Sequence, residues 1–354
     1  MHNKNQIVPE SHSTDLDTAQ ISATTQIETT SATIEMSIIT EITTESLETT
    51  TTTNDQLGFP INATWKQNGT TVAGGHGTGN ELNQLDNPHG IYVDDDEEAT
   101  YIADMQNNRI VQWKFNTTSG EIIAGENGSD ELFGPTDVTV DKKNDSLIIC
   151  EHGRSQVVRW SLRNRRKQGI IIQDISCFSL VMNDNGDLYV STYNNVRRWR
   201  ERDASWIIVA GGDKLGSTYG LLHNPEFIFV DQTYSIYVSD TGNQRVMKWT
   251  KDAKVGDIVA GRSIHRTDLN QLYNPSGVLV DHFNRIYVAD RGSHGIMRWI
   301  SGATEGEITI GGKGEGADAD QLNVPYDISF DRYGNIYVVD QWNNRVQKFE
   351  LDSS

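Results

Sequence analysis

Short apolar runs separated by polar turns fill most of this chain. The stretch “NPSGVLVDHFNRIYVADRGSHGIMRW”, from Asn274 to Trp299, holds three such runs. Nearly the same wording returns in “NPHGIYVDDDEEATYIADMQNNRIVQW” and in “VPYDISFDRYGNIYVVDQWNNRVQKF”. Aligned on its first run, the pattern reads “PHGIYVD” from Pro88, “PTDVTVD” from Pro135, “CFSLVMN” from Cys177, “PEFIFVD” from Pro225, “PSGVLVD” from Pro275 and “PYDISFD” from Pro325. Wherever Pro begins two successive copies, the spacing is 47 to 50 residues. A fixed period of this size marks a repeat architecture, in which each unit buries its faces against its neighbours.

Each copy carries four strand signals. After the first run come “TYIAD”, “LIICE”, “LYVST”, “SIYVSD”, “RIYVAD” or “NIYVVD”. Next come “RIVQW”, “QVVRW”, “NVRRW”, “RVMKW”, “GIMRW” or “RVQKF”, and then “EIIAG”, “GIIIQ”, “IIVAG”, “DIVAG” or “EITIG”. These segments are β-branched and aromatic, and Gly, Asn and Asp separate them. Four antiparallel strands in such a period make one blade of a β-propeller, an all-β fold. Successive side chains of a strand point to opposite faces, so a strand covered on both faces can be apolar throughout. Trp113, Trp160, Trp199, Trp249 and Trp299 recur at one position, with Phe349 in the sixth copy. They read as wedges filling the gap that widens between blades.

The sixth copy has strands at 326–331, 335–340 and 345–350 and no fourth strand of its own. Near the other end, “ATWKQNGTTVAGG” reads as the end of a third strand followed by a fourth, since “TTVAGG” matches “IIVAGG”. This predicts that Thr70–Gly74 pairs with the strand at 345–350, the N-terminal strand completing the last blade. Closure of this kind leaves no open sheet edge.

Residues 1–57 break the pattern. “TTQIETTSATIEMSIITEITTESLETTTTTND” is mostly Thr, Ser, Ile and Glu, with no aromatic residue. Such a segment buries too little apolar surface to offset chain entropy and is predicted to be disordered, either an O-glycosylated stalk or a plain linker. The propeller occupies 61–350. The 354-residue chain has a formal net charge of −19, which keeps nucleic acid and anionic membranes at a distance. No apolar run reaches the roughly 18 residues of a membrane-spanning helix. “MHNKNQIVPE” lacks an apolar stretch and does not read as a signal peptide. Sequons at Asn62, Asn68, Asn116, Asn127 and Asn144 all fall in predicted loops or lead-in chain. Stalk and sequons point outside the cell, while the missing signal segment keeps a cytoplasmic reading open. The two cysteines, Cys150 and Cys177, fit no zinc pattern. They fall on adjacent blades at the same face, so either a disulfide or a buried thiol is consistent with the pattern.

The combination Pro-x-Gly-Ile-x-Val-Asp, Ile-Tyr-Val-Ala-Asp and Arg-Val-x-x-Trp resembles the NHL repeat, over residues 65–350. The resemblance implies a six-bladed β-propeller. Copy three departs from it: it lacks the Pro, ends its second strand in Thr192 and shortens the next turn by two residues. NHL-like propellers include amidating lyases, which hold zinc through His on inner strands, but here only His89 stands at such a place. Thr136, Phe178, Glu226, Ser276 and Tyr326 occupy the equivalent positions. Gluconolactonase-like and strictosidine-synthase-like propellers need converging metal carboxylates or a catalytic Glu. NHL propellers also end ubiquitin ligases, but no RING, B-box or heptad pattern precedes this one.

Candidate chemistry sits at the end of the second strand, at Asp104, Glu151, Asp240, Asp290 and Asp340. These acids could form an anionic ring on one face, or accept from the turns that follow them, with Arg109, Arg245 and Arg345 as partners. His152 and His294 stand in the same turns. Arg163, Arg165, Arg166 and Lys167 form a basic hairpin in blade two, either a solvated face or a dock for an acidic partner. No catalytic residue, metal or cofactor is expected. The chain reads as a monomeric recognition module for a protein, peptide or glycan; a ligase relative without its RING and a lyase or hydrolase are the alternatives. Limited proteolysis is expected to remove residues 1–57 and leave the melting temperature of the body nearly unchanged; a drop of more than a few degrees would show that this segment packs on the propeller.

Overall fold

The computed structural model describes residues 60, 62–125, 130–201, 205–261 and 271–352. The segment 1–57 and the sequon at Asn127 lie outside the described residues. Six four-stranded antiparallel sheets, five of them simple meanders, make a six-bladed propeller. Blade I spans residues 88–124, blade II 135–173, blade III 180–211, blade IV 228–260, blade V 275–311 and blade VI 325–349. Among the described residues the only helical turns are the short 3-10 segments His152–Arg154, Thr241–Asn243 and Gln341–Asn343.

Burial follows from the stacking. In blades I and II every residue of the second strand, Ala99–Asp104 and Ser146–Glu151, is buried, because a neighbouring blade covers each face. Six apolar clusters result, each shared by two adjacent blades around the ring. The cluster of Ala73, Leu85, Ile91, Tyr337 and Val346 closes the circle between blades VI and I.

The fourth strand of blade VI is Thr70–Gly74, which runs antiparallel to Arg345–Phe349, with Thr70 opposite Lys348 and Gly74 opposite Arg345. Thr64–Trp65 is not the end of a third strand. It pairs instead with Leu351–Asp352, making a second, two-residue clasp beyond the blade. Trp65 is buried between blades V and VI, packs edge-on against Tyr287 and donates from Nε1 to the carbonyl of Gly334 at 2.8 Å.

The wedge residues Trp113, Trp160, Trp249, Trp299 and Phe349 are almost fully buried. In four blades the ring lies against the glycine that precedes the fourth strand. A Cβ on Gly69, Gly120, Gly256 or Gly306 would come within 2.5–2.7 Å of Phe349, Trp113, Trp249 or Trp299. Blades II and III depart from this arrangement. The fourth strand of blade III pairs Ile207 with Arg198, as blade I pairs Glu121 with Gln112, so Trp206 takes the place of the glycine. In blade II Lys167 stands opposite Trp160, yet that ring is buried, whereas Trp199 stays half-exposed, contrary to its sequence reading.

Trp65→Ala is expected to destabilise the whole propeller by about 3–5 kcal/mol, the cost of emptying a buried aromatic site. A denaturant midpoint unchanged from wild type would show that the clasp contributes nothing to ring closure.

Candidate functional site

The acids of the second strand face inward. In blade I, Asp104 Oδ1 accepts from the backbone of Asp86 at 2.7 Å, and Oδ2 accepts from Asn107 at 2.9 Å and from Arg109 Nε at 2.7 Å. The remaining guanidinium nitrogens of Arg109 donate to the carbonyls of Asn80, Glu81 and Gln84, in the loop that leads into the blade. Asp240 with Asn243 and Arg245 repeats this arrangement, as does Asp340 with Asn343 and Arg345. Asp104, Asp240 and Asp340 have no exposed surface. Burial holds all three carboxyls above their usual range, against the opposing pull of their hydrogen bonds and arginines. These are staples of the turn, with their polar atoms engaged inside the protein.

The other blades rewire the staple. Glu151 takes Gln156 Nε2 at 2.5 Å, Lys167 Nζ at 3.2 Å and the guanidinium of Arg154. Thr192 bonds to Asn195. Asp290 accepts from the backbone of Tyr273 at 2.7 Å, and Gly295 stands where the arginine would be. Without that cation, burial pushes the Asp290 carboxyl up to about 6.

Next to the staples stand two positions of each blade: the residue after the acid and the second residue of the inner-strand segment. They bring together Glu226, Arg291, Tyr326 and His89. Arg291 Nη2 donates to Glu226 Oε1 at 2.9 Å, and its guanidinium stands 5.1 Å from the centre of the Tyr326 ring. Tyr326, from blade VI, also lies tilted against His89 of blade I, with ring centres 4.3 Å apart, and meets Phe227 of blade IV edge-on at 5.6 Å. Contacts with blades on both sides place this ring across the axis. Glu226 and Arg291 keep only 16% and 19% of their side chains exposed. Burial raises the Glu226 carboxyl, and burial together with the Glu226 charge holds the Tyr326 phenol far up. Burial, then the charges of Arg291 and His152, lower the His89 imidazole to about 3. On the opposite rim His152, Phe178 and Tyr193 form an aromatic wall, with His152 and Phe178 centres 4.6 Å apart. Sequence reasoning noted the inner-strand residues but did not join them to Arg291. The available signal was that these two positions vary between copies while their neighbours repeat.

This set does not fit a metal centre. Among the described residues no group of three or more His, Cys, Asp or Glu is arranged to hold an ion, and the axial carboxylate is held by a guanidinium.

The basic hairpin divides. Arg166 and Lys167 begin the fourth strand, Arg166–Gln173, and do not belong to the turn. Arg163, Arg165 and Arg166 are exposed, and Arg165 reaches Glu121 at 2.5 Å. Lys167 instead turns in toward Glu151, so it does not share a patch with the arginines. Cys150 and Cys177 form a disulfide with Cα atoms 5.6 Å apart, tying blade II to blade III. Cys177 precedes the inner strand of blade III, which is trimmed to Leu180–Met182. Asn62, Asn68, Asn116 and Asn144 are exposed.

No family model matches the sequence, and no curated protein matches it. The chain is similar to an auxiliary nutrient binding protein of Bacteroides thetaiotaomicron, with a TM-score of 0.64 and 15% identity over 82% of this chain and 77% of that one. A gluconolactonase of Xanthomonas campestris aligns with a TM-score of 0.57 and 14% identity, covering 76% of this chain and 87% of its own. The virginiamycin B lyase of Staphylococcus aureus gives 0.50 and 16%, covering 77% and 98%. At these identities the likeness establishes a six-bladed propeller and nothing narrower.

The buried acids set a pH dependence. The folded pKa of Asp290, about 6, lies above the ordinary value of 3.8, so the native state binds this proton more tightly than the unfolded chain does. Its contribution to stability is full below about pH 4 and is lost as pH rises through about 6. Asp290→Asn is therefore expected to flatten the fall in melting temperature between about pH 4 and about pH 6. Calorimetric scans giving parallel slopes for variant and wild type would contradict this.

Proposed function

We propose that this chain is a non-catalytic recognition module that binds a protein, peptide or glycan at the axial end of the propeller. The observation that carries this reading is the pairing of Arg291 with Glu226 under the Tyr326 ring. A general base works best with a pKa near the operating pH. His89, lowered to about 3, is far too weak a base at neutral pH. What the cluster offers is a fixed set of donors, acceptors and aromatic faces on a rigid scaffold, the requirement for recognition. The Bacteroides relative, described as a nutrient binding protein, is compatible with such a role.

The same reading places the module outside the cell, carried on its Thr/Ser-rich segment as a stalk. The Cys150–Cys177 disulfide supports this, since disulfides persist in oxidising compartments. So do the four exposed sequons among the described residues. No helix among those residues is long and apolar enough to cross a membrane.

The test uses the intact chain on peptide and glycan arrays, followed by Arg291→Met together with Glu226→Gln. The double variant is expected to keep its melting temperature within a few degrees and to lose the array signal at least tenfold. Turnover of a lactone by the wild type, abolished by Glu226→Gln alone, would overturn the reading in favour of a hydrolase.

A further inference from the structure

Half-exposed Trp199 stands at the end of the ring opposite the axial cluster. A cleft of about 880 Å3 lies between blades II and III, walled by the hairpins that join their inner and second strands. Trp199 and Met182 supply an apolar wall. The polar lining is internally balanced, with four acidic and four basic side chains, on a chain whose net charge is −19. Much of that charge is already paired: Arg200 Nε meets Asp187 Oδ2 at 2.7 Å, and Arg159 meets Asp141 at 3.3 Å. Asn183, on the same lining, accepts from the backbone of Asn185 and Asp187 through Oδ1 and leaves its Nδ2 with no acceptor.

We infer that this cleft binds a neutral saccharide. A charged ligand gains little from a lining whose signs cancel, and an apolar one would strip water from the ion pairs without replacing it. A sugar ring presents C–H groups to an aromatic face and hydroxyls that both donate and accept. Trp199 provides the face, the Arg200–Asp187 pair offers a donor beside an acceptor, and Asn183 lacks only an acceptor. The saccharide has two possible sources: a free oligosaccharide, or a glycan on Asn144, which begins the sequon “NDS” and lines the same cleft.

The experiment follows tryptophan fluorescence and saturation-transfer NMR with glucose, mannose, galactose, N-acetylglucosamine and N,N′-diacetylchitobiose as probes. Full-length chain is made in a host that does not glycosylate and in one that does. In the unglycosylated chain at least one probe is expected to bind saturably. Trp199→Ala and Arg200→Met are each expected to weaken that binding about tenfold, the loss of a stacked ring face or of a charged donor. Asp187→Asn, with nearly unchanged shape, repeats the polar test if either variant melts early. If glycosylated chain binds the probe only after glycan removal or after Asn144→Gln, the occupant is the chain's own glycan; equal binding by both forms assigns a free sugar. Absence of saturable binding of any probe by the unglycosylated chain, or binding insensitive to all three variants, would overturn the inference.

Discussion

The buried carboxylate at the end of the second strand is the constraint on which the upper surface of this propeller depends. In blades I, IV and VI one Asp gathers an amide from the incoming loop, an Asn from its own turn and an Arg that reaches back to three loop carbonyls. A carboxylate without such partners would be expensive to bury. Fully bonded, it fixes two separate chain segments against each other. The axial residues stand one position beyond these anchors, which is why side chains as different as Glu226, Arg291 and Tyr326 can meet at defined distances.

A second constraint runs down the outside of the ring. In blades I, IV, V and VI the wedge ring and the glycine beside it form one unit, since the ring occupies the volume a Cβ would need. Blade III carries Trp206 at the glycine position, and Arg197 stacks over that ring at 3.7 Å. Trp199 on the adjoining strand is half-exposed and lines the cleft between blades II and III. The disulfide joins the same two blades, and a cross-link of this kind typically contributes about 3 kcal/mol. It holds blades II and III together where their side-chain packing is least regular.

The blades, their order and the exchanged strand Thr70–Gly74 were legible because each strand repeats its composition at a fixed interval. The staple was half legible. Arg109, Arg245 and Arg345 were visible as partners, whereas Asn107, Asn243 and Asn343 looked like ordinary turn residues. The axial cluster was harder to see, because it is assembled from blades IV, V, VI and I and no linear pattern joins Glu226 to Arg291, 65 positions away. Trp199 was misread for a related reason. Its own segment matches the repeat, and the departure lies before the neighbouring strand, where Trp206 stands at the glycine position. The short pairing of Thr64–Trp65 with Leu351–Asp352 left no signal that two residues could carry.

Ring closure by Thr70–Gly74 also imposes an order on biosynthesis. The strand is made early, and its partner Arg345–Phe349 follows about 270 residues later. At roughly 5–20 residues per second, this amounts to some tens of seconds on the ribosome. Throughout that interval blades I to V can stack on one another as they emerge, but the ring stays an open arc with an unpaired edge at each end. The native circle therefore closes only after the last blade has left the exit tunnel.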